Sequence, residues 1–271
     1  MSALRVAPYL GFVSGTFQKM LAYRLRYYTG IVSYLIYVAI NYFIWKAVFA
    51  DRAPGALIDG YDLAGMTTYV AVGWIARSFY FNNVDREIGD QVQKGEIALA
   101  LARPVSYQGT VLAGAIGEGT FRFLCFSLPV GVVIYLCFPV ALPASFASGC
   151  AFVVSIWLAL LILTQLNFLV GMCAFPLKSI DGVMRAKHYL LEILSGLVLP
   201  VAMFPSWLAA VTRWLPFQQI SYVPTSIWLG KLRGPELALA LARQAGWVVL
   251  FTLLCAFVWR RVTRRLTVQG G

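Results

Sequence analysis

Acidic residues are scarce, eleven in a chain of 271, and the one histidine is His188. Metal and acid-base chemistry inside a membrane needs clustered His, Asp or Glu, so no metal ligands and no catalytic residues are assigned. The nucleophile-elbow pattern G-x-S-x-G is missing. So is the phosphate-cradling loop G-x-x-x-x-G-K-[ST], which leaves the chain with no engine of its own for nucleotide hydrolysis. The glycine-rich "GAIGEGTF" (114–121) has no following lysine and reads as close helix packing through small residues. Five cysteines, Cys125, Cys137, Cys150, Cys173 and Cys255, form no C-x-x-C pair and sit in or beside apolar runs, as packing residues do.

Charge of either sign is sparse at 12%, while 60% of residues are hydrophobic and the mean hydropathy is +0.75. The solvent of such a chain is lipid. Residues 27–45, 63–76, 123–177, 193–212, 214–230 and 244–259 contain no Asp, Glu, Lys or Arg. A membrane crossing takes about 20 largely apolar residues. The run 123–177 is too long for one crossing, and Pro139 and Pro143 in "CFPVALP" supply its turn. The fold expected is an all-α integral membrane protein of one domain, 1–271, with six helices at roughly 30–50, 64–84, 107–138, 144–175, 189–204 and 237–260. The run 214–230, with Pro216, Pro224 and Gly230, is left over and reads as an interfacial or re-entrant segment.

Lys and Arg near span ends stay on the cytoplasmic side. Arg5, Lys19, Arg24 and Arg26, then Arg86, Lys94 and Arg103, then Lys178, Arg185 and Lys187, and last Arg260, Arg261, Arg264 and Arg265 fall on one side of this plan. Only Arg52, Arg213, Lys231 and Arg233 fall on the other, so both termini are expected in the cytoplasm. The net charge of +11 is spread beside spans with no soluble module, which points to anionic inner-leaflet lipid as the partner rather than nucleic acid.

Residues 4–28 place Val13, Phe17, Met20 and Leu21 on one helical face, the pattern of a helix lying in the interface, with Arg24 snorkelling from the apolar side. Between the second and third spans lies "DREIGDQVQKGEIALALARPV" (85–105), six of whose charges, Asp85, Arg86, Glu87, Asp90, Lys94 and Glu96, fall within twelve residues. Asp85 as N-cap, Glu87 in the first turn, Lys94 in the last and Gly95 just beyond define a helix over 86–94, followed by a short apolar piece. Mixed charge of this kind suits a protein contact in which complementarity sets register.

Four segments carry a family resemblance: "LAYRLRYYTG" (21–30), "IWKAVF" (44–49), "IGDQVQKGEIALALARPVSYQ" (88–108) and "LPFQQISYVPTSIWLGK" (215–231). They resemble the permease subunits of type-2 ABC exporters, in particular a bacterial viologen-exporter-like subgroup. The resemblance implies a non-catalytic subunit of the bacterial inner membrane, which pairs with a like or sister permease and draws on ABC ATPase subunits that hold ATP and Mg. It implies that 85–106 is the cytoplasmic coupling segment, with Arg86, Glu87, Asp90, Gln91, Lys94, Gly95 and Glu96 as the ATPase contact. It also implies that 205–236 is an extracytoplasmic re-entrant segment closing the exit. There Trp207 and Trp214 flank a short amphipathic stretch, as interfacial tryptophans do, and Pro216 and Pro224 complete the expected gate. The cargo implied is a hydrophobic or amphipathic compound.

Ionisable residues within spans are costly unless paired. Arg77 lies on the second span, and Glu118 and Arg122 share one face of the third at i, i+4. They read as a cluster locking those spans together, or as a site where Glu118 attracts a cationic cargo. Gln165 and Asn167 read as interhelical hydrogen bonders. Tyr34, Tyr37, Tyr42, Phe43 and Trp45 read as lipid-facing or as a wall for flat hydrophobic molecules. An ion-gradient-driven secondary transporter, or a membrane scaffold or enzyme, remains the alternative, with Glu118 the strongest candidate for a coupling carboxylate.

Overall fold

The structure, a computed structural model, describes residues 6–23, 25–53, 55–177 and 179–264. Arg5, Arg24, Lys178 and Arg265 of the basic tally lie outside the described residues, as does the side chain of Arg26. Apart from an isolated bridge between Ile58 and Tyr61, the described regular structure is helical.

Four helical stretches are long and apolar enough to cross a bilayer. The first is Gly30–Ala50, within α2 (Leu25–Ala50). The second is Tyr107–Cys137, built from α6 (Tyr107–Arg122), a π-helical turn Phe123–Ser127 and α7 (Leu128–Cys137). The third and fourth are α8 (Phe146–Met172) and α12 (Gly234–Thr263). Their bounds fall within a few residues of the expected first, third, fourth and sixth spans.

The expected second span is α3 (Leu63–Tyr80), capped by the Asp62 carboxylate, which accepts from Gly65 N at 2.8 Å. At 18 residues it covers about 27 Å. Thr67, Thr68, Arg77 and Ser78 make it less apolar than the other four, and neighbouring helices enclose it: Met66, Tyr69, Ala71 and Phe79 are all buried. The expected fifth span, 189–204, is replaced by something different. Helix α9 runs Asp181–Leu194 and ends at Ser195, followed by Gly196 at φ +77, a left-handed conformation that suits glycine and stops a helix. The helix therefore starts eight residues early and stops ten early. Its polar start is fixed by Ser179, whose Oγ accepts from Asp181 N at 3.3 Å. Beyond it come a 3-10 turn at Val201–Met203, α10 (Ser206–Arg213), another at Phe217–Gln219 and α11 (Tyr222–Trp228).

The N-terminal helix α1 (Val6–Ala22) packs against α6. Tyr9 lies against Gly109, Val13 against Gly117, and the Phe17 ring meets Phe121 edge-on at 6.0 Å. A side chain at Gly117 would collide with the Val13 carbonyl oxygen. Gly109, Gly114 and Gly117 thus line the groove in which α1 lies, Gly114 facing Thr16, and the last two belong to "GAIGEGTF". Gly119 likewise brings Leu160 of α8 close, 2.7 Å from where a β-carbon would stand.

Buried apolar residues gather in three clusters. One joins α3, α8, α11 and α12 around Phe79, Leu160, Ile162 and Ile227. A second joins α2, α3 and α7 around Val38, Trp74, Phe126 and Ile134. Here Tyr34 and Tyr37 pack on Trp74, the latter stacked at 4.4 Å, and Tyr42 meets Phe138, while Phe43 faces outward at 62% exposure. The third cluster, at one end of the bundle, holds Val84, Ile88, Tyr107, Phe168, Met172 and Cys255. All five cysteines are free.

Candidate functional site

At that end the chain leaves α3 through residues 81–83 and enters α4 (Val84–Gln93), which turns at Lys94 and Gly95 into α5 (Ile97–Leu101). Gly95 takes φ +72, the left-handed position expected just past a helix end. Asn83, not Asp85, occupies the N-cap position, and its side chain makes no capping bond. Asp85 instead lies in the first turn, buried at 4% exposure.

The apolar face of α4 is wedged into the bundle. Ile88 presses on Gly171 at the end of α8, where a β-carbon would stand 2.8 Å from the isoleucine, and Gly89 receives Ile180 at the same 2.8 Å. Full burial of Ile88 is worth about 1.5–3 kcal/mol against water. On the other face Arg86, Glu87, Asp90, Lys94, Gly95 and Glu96 are exposed. Gln91 is half-buried, and its Oε1 accepts from the Tyr107 hydroxyl at 2.7 Å, so it ties α4 to α6. Glu87 lines a cavity of about 370 Å³ between α1, α4, α5 and α6, together with Lys19, Arg103 and Glu118. Desolvation by those walls, then the Glu118 charge, pushes the Glu87 carboxyl above its usual range. A second cavity, about 410 Å³, separates α4 from α9 and is lined by Arg86, Asp181, Arg185 and Lys187 among others.

Behind α4 lies a polar joint that the sequence reading did not assemble. Lys187 Nζ of α9 donates to Asp85 Oδ2 at 2.5 Å and to Asn167 Oδ1 of α8 at 2.6 Å. The Asn167 amide donates to Asn82 O at 3.0 Å and to Asn82 Oδ1 at 2.9 Å. The Asn82 amide in turn donates to Thr164 Oγ1 at 3.0 Å. Asn82, Asn167 and Thr164 are each no more than 3% exposed. A buried ion pair recovers its desolvation cost only with close geometry and further hydrogen bonds, and both are present here.

The intramembrane ionic residues divide differently from the expected cluster. Glu118 and Arg122 form the i, i+4 pair at 2.7 Å, and Arg122 also donates to Ser78 O of α3 at 3.4 Å. Arg77 does not join them: it pairs with Glu192 of α9 at 3.4 Å and lies over the rings of Trp74 and Phe81. Glu192 falls inside the expected fifth span, 189–204, yet was not among the ionisable residues weighed within spans. His188 is a half-exposed α9 residue with Nε2 3.3 Å from Glu192. Gln165 ties α8 to α12, its Oε1 accepting from Thr252 at 2.7 Å.

At the opposite end Trp207, in the first turn of α10, and Trp214, just past its last residue, are 66% and 83% exposed, whereas Pro216 and Pro224 are buried. Lys231 lies over the Tyr61 ring, 3.0 Å from its centre, and donates to Gly60 O at 3.0 Å. These four expected gate residues therefore do not form one constellation: two face out and two pack inward.

A family model described as ABC-2 family transporter protein matches residues 35–270. No curated protein matches the chain.

Proposed function

The chain belongs to the ABC-2 transporter family, and from that premise we propose that this membrane permease serves an ATP-driven exporter and receives its work stroke through α4. The observation that carries the reading is the two-sidedness of α4: one face is wedged against Gly171 and Ile180, and the other presents Arg86, Asp90, Lys94 and Glu96. A helix so placed is fixed to the bundle yet offers mixed charge to a second protein. In this reading an ABC ATPase, holding ATP and Mg, docks on that face with Glu87 and Gly95 at its margin.

Closure of the ATPase displaces α4, and the permease, paired with an identical or sister chain, switches between discrete helix packings. Residues 205–236 close the outer exit, α1 lies at the inner membrane surface, and both termini face the cytoplasm of a bacterial inner membrane. The cargo is a hydrophobic or amphipathic compound, in keeping with the viologen-exporter-like resemblance.

The test is capture of the ATPase. Arg86→Glu combined with Asp90→Lys and Glu96→Lys should lower co-purification of the ATPase at least tenfold, a loss of about 1.4 kcal/mol. Stability should stay within about 0.5 kcal/mol, as for surface substitutions. Undiminished capture and normal ATPase stimulation would place the contact elsewhere.

A further inference from the structure

We infer that Asp85, Lys187, Asn167 and Asn82 form the joint that passes displacement of α4 to α9, and that α9 is the strut delivering it to α11. The inference rests on the reading of α4 as the docked element.

Three features support it. The link 81–83 between α3 and α4 is short and non-helical, so on its own it would absorb a movement of α4 as a hinge. Asn82 stops that: it accepts from Asn167 and donates to Thr164, which binds the middle of the link to α8. Apolar contact between Ile88 and Gly171 resists separation but not sliding. A buried charge pair with directional partners holds one register, since any slip leaves Asp85 or Lys187 desolvated and unpaired.

The third feature is what lies at the other end of α9. From Lys187 the helix rises to Ser195, eight residues or about 12 Å further. There the Ser195 carbonyl accepts from Tyr222 N at 3.0 Å, at the first residue of α11, and the Gly196 carbonyl accepts from the Tyr69 hydroxyl. One helix thus meets α4 from its middle, through Lys187, and α11 at its end. An element that both ends can bias is a physical carrier of coupling. These four are positioning residues: they touch neither the ATPase nor a cargo in this reading.

The experiment is amide hydrogen exchange on the complex of this chain with its ATPase in lipid nanodiscs, with and without ATP, Mg and vanadate. In the wild type, trapping should alter exchange both in 84–93 and in 195–228. Asp85→Asn combined with Lys187→Met removes both charges while nearly conserving volume. That pair should keep the response in 84–93 and lose at least four-fifths of the response in 195–228.

A variant that keeps the 195–228 response at the wild-type level overturns the inference. So does a variant that stays assembled but loses the response in both segments, since that marks a role in holding the fold only. If the double variant does not assemble, Asp85→Asn alone carries the same test, because it removes the charge that holds the register and leaves Lys187 the Asn167 acceptor. No response in 84–93 of the wild type would instead sink the docking of α4 itself, which separates the two failures.

Discussion

Lys187→Met, with Asp85 left in place, should destabilise the folded chain by about 3–5 kcal/mol, because it strands a buried carboxylate without its cation. In detergent this reads as a fall in thermal midpoint on the order of 10 °C for a chain of this size. Adding Asp85→Asn to the same chain should recover most of that loss. The charge that demanded a partner is gone, and Asn167 still has Asn82 as a partner. The double-mutant cycle should therefore show a coupling of at least about 2 kcal/mol. Equal midpoints for the single and double variants would mean that Asp85 is hydrated rather than sealed behind α4. The double variant removes the joint without the cost of an orphaned charge.

Gly117→Val should detach α1 from α6. The new side chain has no room, since its first carbon would collide with the carbonyl oxygen of Val13, and a backbone atom in a packed helix cannot swing aside as a side-chain tip can. Overpacking of this kind costs about 1–3 kcal/mol or more. Proteolysis and amide exchange confined to residues 6–22 should rise steeply. Gly11→Val is the control: nothing lies within 4 Å of a β-carbon there, so its effect should stay within about 0.5 kcal/mol. If the two variants behave alike, α1 is held by lipid and not by the glycine groove.

The long apolar helices were legible because charge-free length is itself the signal: α2, α8 and α12 contain most of the runs from which they were read, and the π turn inside 107–137 does not interrupt the crossing. The α4–α5 pair was legible from Gly95 and the clustered charges, although the cap was placed two residues late, at Asp85 rather than Asn83. The Glu118–Arg122 pair could be read from a spacing of four on a single helix. Helix α9 could not be read from hydropathy. Asp181, Arg185, Lys187 and His188 resemble a loop until their partners are known, Glu192 falls inside the expected fifth span, and two of the partners, Asp85 and Arg77, stand more than 100 residues away in sequence. Hydropathy instead favoured 193–212, where Gly196 and Pro200 break the chain. Asn167 was readable as a hydrogen bonder but not as the centre of a joint, since nothing in a single helix shows which face meets Asn82 and Lys187.

The most direct test of α4 as the drive contact is photo-crosslinking in native membranes from a benzoylphenylalanine placed at position 94, where the side chain is exposed just past the helix. The adduct expected is this chain joined to an ATP-binding subunit, with no such adduct from position 214, which is exposed at the opposite end of the bundle. Adducts at 94 only with lipid or with another permease, or equal capture of the ATP-binding subunit from 214, would contradict the account.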